Sequence, residues 1–171
     1  MINKKKKEKE IYYKYADQMY ALCCRYIGNS EISEEILNNG FINVFKNLKK
    51  FKPQNENSFK YWIRKIMTNE CLMYLRKRKK IKILQIENMP EENIGDFNIE
   101  FVENNEIDEL ILKLPIGYRT IFNLYAIEGY SHKEISEQLK IQESTSRSQL
   151  TMARRQLKEM LIQKGYVYEH Q

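Results

Sequence analysis

Wound as a helix, the stretch ESTSRSQLTMARRQLKEML, residues 143–161, puts Ser144, Arg147, Ser148, Thr151 and Arg155 on one face, a turn apart. An arginine can grip a guanine edge through two hydrogen bonds, and a Ser or Thr hydroxyl can reach bases or phosphates. The other reactive side chains do not gather into a reaction centre. Cys23, Cys24 and Cys71 are odd in number and lack CxxC spacing, so they read as thiols buried in a reducing compartment. His132 and His170 have no metal-ligating neighbours in the sequence. No phosphate loop or nucleophile–base pair is visible. An enzyme, a metal site and a cofactor are therefore not expected.

The elements around that face must present it. In YSHKEISEQLKIQESTSRSQL, residues 130–150, Ser131 followed by Glu134 has the form of a capping box, which starts a helix by satisfying its free N–H groups. Ile135 and Leu139 point inward, and a bend follows at 140–142. The next helix turns Ser146, Leu150, Ala153 and Leu157 to the opposite side from the Arg and Ser residues. This is the geometry of a helix-turn-helix, whose second helix enters the major groove. The alternative is a helical hairpin with a polar surface.

The rest of the chain also reads as helical. Ile11, Tyr15, Met19, Leu22 and Tyr26 share a face across 11–28, and GNS at 28–30 ends that pattern. Ser33 precedes a second apolar stripe of Ile36, Leu37, Phe41, Val44, Phe45 and Leu48. A polar loop, KFKPQNENS, leads into a third helix over 58–78 carrying Phe59, Trp62, Ile63, Ile66, Leu72 and Leu75. The run at 4–10 reads as a solvated basic tail; the alternative is an arm that touches DNA. The expected fold is all-α: a basic tail at 1–10, a helical domain at 11–80, an acidic linker at 81–109 with a short helix near its end, and a helix-turn-helix domain at 110–165.

Charge follows the same divisions. Residues 1–80 carry 19 Lys and Arg against 8 Asp and Glu, net +11. Residues 81–109 carry one Lys against nine acids, net −8, and the remainder is net +3. The total is +6, with a pI near 9.1, which points to an acidic partner. No apolar run reaches membrane-spanning length and no export signal is visible, so a cytoplasmic protein without membrane insertion is expected.

Residues 114–161 closely resemble the C-terminal promoter-binding domain of bacterial sigma factors. SEEILNNGFINVF resembles the polymerase-docking helix of the other conserved sigma domain, and FKYWIRKIMTNECLMYLRK its promoter-melting helix. The order and the short linker are similar to the extracytoplasmic-function (ECF) group. The resemblance implies a sigma factor that binds core RNA polymerase and promoter DNA, directs initiation and helps melt the promoter. An anti-sigma factor is a common further partner in that family. The alternative is a stand-alone helix-turn-helix regulator of duplex DNA.

The resemblance also implies site residues. Glu34, Glu35, Asn38, Asn39 and Phe41 match the docking positions, although the family usually has Gln and an acid at 38 and 39. Phe51, the loop from Lys52 through Asn57 to Ser58, Tyr61, Trp62 and Asn69 match the pocket for a base flipped from the minus-ten element. Extruding that base costs a few kcal/mol, and aromatic stacking returns about 1–3 kcal/mol. Lys60, Arg64, Lys65, Arg76, Lys77 and Arg78 would hold phosphates. Many relatives carry Asp where Met73 stands. In the second domain the minus-thirty-five readers would be Lys133, Ser144, Arg147, Ser148, Thr151, Arg154 and Arg155. Lys140 and Gln142 stand where a Gly and a Ser cap are common, at about 1 kcal/mol each. In the family the linker threads polymerase channels. Twenty-nine residues span about 30 Å as a free coil and about 95 Å fully extended.

Overall fold

The computed structural model describes residues 2–55, 57–78 and 104–166, and divides the chain into units at 1–80 and 81–171. Among the described residues there are helices and no strands. The expected linker falls largely outside them.

The first unit is built from α1 (Ile2–Ile27), α2 (Ser30–Asn47) and α3 (Ser58–Lys77). Gly28 adopts φ 73, a left-handed conformation that costs glycine little, and so allows a two-residue connection between α1 and α2. So short a link folds the two helices into an antiparallel hairpin. Asn29 caps α2, accepting the Ile32 N–H at 2.9 Å. Ser33 lies one turn inside α2, not ahead of it, and its hydroxyl donates to the Asn29 carbonyl at 2.7 Å. The residues expected to form a tail are helical: α1 runs through residues 4–10, where Lys4 pairs with Glu8 at 3.6 Å. Lys and Glu are good helix formers, and a pair four residues apart adds support.

Met19, Leu22, Cys23 and Tyr26 of α1 meet Ile36, Leu37, Phe41 and Val44 of α2 and Ile63, Met67, Cys71, Leu72 and Leu75 of α3 in one core. α2 and α3 approach closely where Gly40 faces the Met67 sulfur; a Cβ at Gly40 would collide with it.

The second unit comprises α4 (Asn104–Lys113), α5 (Ile116–Phe122) running into a wider π turn over 123–127, α6 (His132–Leu139) and α7 (Glu143–Gln163). Residues 104–109, assigned from sequence to the linker, form the first turns of α4. The reason is packing: Ile107, Leu110, Ile111 and Leu114 are buried together with Ile121, Phe122, Leu124, Ile135, Leu150, Ala153, Leu157 and Leu161. Arg119 is buried beside them and donates to the Leu112 carbonyl at 2.9 Å; burial lowers its pKa.

Candidate nucleic-acid interfaces

In the second unit the capping box forms as expected. The Ser131 N–H donates to Glu134 Oε2 at 2.8 Å, and Ser131 Oγ accepts the Glu134 N–H at 3.2 Å. Lys140 closes α6 in the left-handed region, φ 57 and ψ 50, and the Ile141 N–H reaches back to the Ser136 carbonyl at 3.1 Å. Gln142 precedes α7 without a side-chain cap bond. The bend is therefore made by backbone hydrogen bonds, at the expense of a strained lysine and an uncapped helix.

The inward face of α7 holds Ser146, Leu150, Ala153 and Leu157 as anticipated, with Thr145 and Gln149 buried beside them. His132 Nδ1 and Ser146 Oγ are 2.8 Å apart, which ties the start of α6 to the first turns of α7. The His132 ring also stacks on Tyr125, with centroids 4.4 Å apart and planes 22° from parallel. Sequence reasoning missed this tie, because its partners stand fourteen residues apart and no local pattern joins them.

Ser144, Arg147 and Arg155 are exposed, Ser148 and Thr151 half-buried. Arg147 pairs with Glu143 at 3.3 Å and Arg155 with Glu159 at 3.7 Å. Thr151 Oγ1 donates to the Arg147 carbonyl and Ser148 Oγ to the Thr145 carbonyl, both at 3.1 Å, leaving acceptor lone pairs outward. Lys133 is exposed on α6. Arg154 is set apart from this face: it is half-buried, with its guanidinium 5.8 Å from the Tyr125 ring centre.

In the first unit, α3 carries an exposed stripe of Tyr61, Lys65, Asn69, Met73 and Arg76, spaced by four, four, four and three residues. Met73 thus shares the face of the expected contacts. Trp62 leaves the stripe and is half-buried in an aromatic cluster. Its ring centre lies 4.9 Å from Phe51 and 5.6 Å from Phe59; Phe51 and Phe59 are 5.1 Å apart, and Tyr15 of α1 closes on Phe59 at 5.7 Å. The 52–58 loop rises from this aromatic base.

Ser58 knots the loop. Its Oγ accepts the N–H of Gln54 at 3.2 Å and donates to the Asn55 carbonyl at 2.7 Å, while the Asn57 N–H bonds Asn55 Oδ1 at 3.1 Å. Ser58 therefore shapes the loop, whereas Lys52 and Asn57 are exposed on it.

On α2, Glu34, Glu35, Asn38 and Asn39 are exposed, and Ile42, 49% exposed, continues their face. Phe41 does not belong there. It is 2% exposed, its ring 4.8 Å from Tyr12 and 5.8 Å from Phe45. A ring with that much apolar surface is driven into the core, so Phe41 supports the face from behind.

Among the described residues no group of three or more His, Cys, Asp or Glu could hold a metal, and no helix is long and apolar enough to cross a membrane.

Residues 11–81 match the family model for sigma-70 region 2, and residues 104–157 that for sigma-70 region 4. The ECF RNA polymerase sigma factor SigE of Mycolicibacterium smegmatis is 29% identical over 161 residues, covering 89% of this chain and 60% of that protein. The ECF RNA polymerase sigma factor SigW of Bacillus subtilis is 29% identical over 160 residues, 86% of this chain and 84% of that one. In fold, the chain is similar to the sigma factor RpoE of Bartonella quintana, solved with the anti-sigma factor NepR: TM-score 0.54 at 16% identity, over 90% and 96% of the two chains.

The described residues form helices in two units, the second ending in a helix-turn-helix. The two family matches fall one on each unit and in order. The chain belongs to the sigma-70 family of RNA polymerase sigma factors, in its ECF group. Its function is that of a sigma factor in transcription initiation, and the stand-alone regulator is not favoured.

Proposed function

We propose that the chain docks on core RNA polymerase and, within that assembly, reads a promoter at two places. The exposed face of α7 reads the minus-thirty-five element, with Arg147 as its main base-edge contact. The 52–58 loop and the α3 stripe handle the minus-ten element and its melting, with Asn69 at the flipped base and Lys65 and Arg76 on phosphates. Glu34, Glu35, Asn38 and Asn39, with Ile42 beside them, form the polymerase face. The protein binds and positions rather than catalysing a reaction of its own, and it works in the cytoplasm. Control by an anti-sigma factor belongs to the same reading.

The observation that carries this is the separation on α3. Tyr61, Lys65, Asn69, Met73 and Arg76 form one outward stripe, while Phe59 and Trp62 turn aside to build, with Phe51, a base under the adjoining loop. A helical surface made only for solubility has no need of such a base. The test is transcription in vitro with core polymerase and genomic fragments, with start sites mapped. Discrete starts that depend on the chain and share two upstream motifs are expected. Starts that ignore its presence would remove the reading.

A further inference from the structure

The open end of the α1–α2 hairpin is far more basic than either interface described above requires. Over residues 4–10, outside the span matched by the region 2 model, five lysines stand against two glutamates. Those lysines, Lys4 to Lys7 and Lys9, are exposed. The first turn of α1 contains no acidic residue, so the run opposes the helix macrodipole, which favours anions at an N-terminus.

Folding brings further cations to the same end. Tyr12 packs on Phe41 at 4.8 Å, and α2 runs antiparallel to α1 from there. Asn47 is six residues beyond Phe41, about 9 Å along the axis, which sets the end of α2 level with the lysine turns. Lys46, Lys49 and Lys50 are exposed at that end. The closed end of the hairpin has the reverse sign, with Glu31, Glu34 and Glu35 exposed on the first turns of α2.

The basic end also adjoins the minus-ten loop. Tyr15 touches Phe59, and Phe59 touches Phe51 at the base of the loop. Lys9 is six residues before Tyr15, about 9 Å along α1, and Lys52 continues the charge onto the loop itself.

We propose that the lysine turns of α1, with Lys46, Lys49 and Lys50, form a phosphate-binding surface that grips promoter DNA beside the minus-ten loop. The surface rests on the sigma-factor reading and adds to it a contact made by residues outside the matched span. Nucleic-acid phosphate is the ligand because eight exposed lysines outweigh Glu8 and Glu10 on this surface, with the exposed Tyr13 ring beside them under Lys9 at 5.8 Å. Such a surface holds a backbone at any sequence and makes affinity steeply salt-dependent.

The test uses holoenzyme assembled from core polymerase and the full chain, with open-complex affinity on a mapped promoter measured across a KCl series. One variant combines Lys4→Gln, Lys5→Gln, Lys6→Gln, Lys7→Gln and Lys9→Gln, which keeps helix-forming residues and relieves the dipole mismatch. A second carries Arg at the same five positions. In the Gln variant the slope of log affinity against log salt should become shallower by about 2 to 4, at about 0.7 to 0.9 per phosphate contact. Start sites and core affinity should be unchanged, and the Arg variant should keep the parental slope. A Gln variant with the parental slope overturns the proposal. So does a defect fully explained by lost core affinity, which would assign the surface to an acidic face of a protein. If the unsubstituted chain directs no initiation, the sigma-factor reading fails and this surface falls with it; an active parent with an unchanged variant slope sinks the surface alone.

Discussion

Arg147 is poised rather than free. Its 3.3 Å pair with Glu143 holds the guanidinium along the outer face of α7, and an exposed pair of this kind is weak enough to be exchanged for a base. Arg147→Ala should lower use of promoters with an intact upstream element by about 1–3 kcal/mol, the worth of a bidentate base contact. The defect should depend on the base pair contacted, and promoter competition assays would show it; an unchanged ranking of promoters would remove Arg147 from the reading face. Asn69 is tested differently. It sits between Lys65 and Met73 on the exposed stripe, so Asn69→Ala should leave the core intact. A flipped base exists only once pairing is lost, and extrusion costs a few kcal/mol. The variant should therefore form fewer open complexes on duplex promoters and largely recover on a template with a pre-melted minus-ten bubble. Permanganate footprinting reports the open fraction. Equal defects on both templates would mean that Asn69 serves docking or folding instead.

The bend between α6 and α7 carries two local costs. Lys140 holds φ 57, and Gln142 provides no cap bond. Relieving a left-handed residue returns about 1–2 kcal/mol, of which glycine gives back about 0.5–1 kcal/mol in the unfolded chain. Lys140→Gly with Gln142→Ser, the cap adding about 1 kcal/mol, should raise the melting temperature by several degrees. A double variant that melts with or below the parent would show that the strain is illusory.

A second element-scale joint fastens α4 to the end of α7. Glu106 accepts from the Tyr166 hydroxyl and, at 3.4 Å, from Lys164, and these partners hold its carboxyl below the ordinary 4.5. A depressed carboxylate stabilises the fold above its unfolded pKa, and that stability is lost as pH falls through the folded value. The gap in melting temperature between parent and Glu106→Gln should thus be widest near neutrality and close below the glutamate range. A gap independent of pH would exclude titration of Glu106.

How far these joints are visible in sequence depends on their span. The Ser131–Glu134 box and the apolar stripes lie within a few residues, so local pattern reveals them. The Glu106 clasp crosses sixty residues and the Tyr15–Phe59 contact more than forty, and nothing local marks either. Phe41 shows the two kinds of reading in conflict. Periodicity placed it in the apolar stripe and motif resemblance placed it on the docking face, and its burial follows the periodicity. The start of α1 went the other way: a charged run resembles a tail, yet its side chains favour helix.

At the scale of the whole chain, each surface proposed to face DNA belongs to its own unit, of 80 or 91 residues. A small module with a few cationic contacts binds DNA weakly at physiological salt. Joining two such modules multiplies affinity only when both can engage at once, because the second event gains from the effective concentration set by the first. In the free chain, residues 81–109 place net −8 in covalent reach of both surfaces, which works against a polyanion. Core polymerase would supply both the missing geometry and a basic partner for those acids. The full chain should therefore bind core polymerase tightly and promoter duplex weakly when alone, with promoter affinity rising steeply once the two proteins are combined. Both affinities must be measured at one salt concentration, since the DNA term shifts strongly with ions. Weak binding by the free chain, little different between promoter and scrambled duplex, is the expected result. Tight, sequence-specific binding of the free chain to duplex DNA would return the protein to the class of stand-alone regulators.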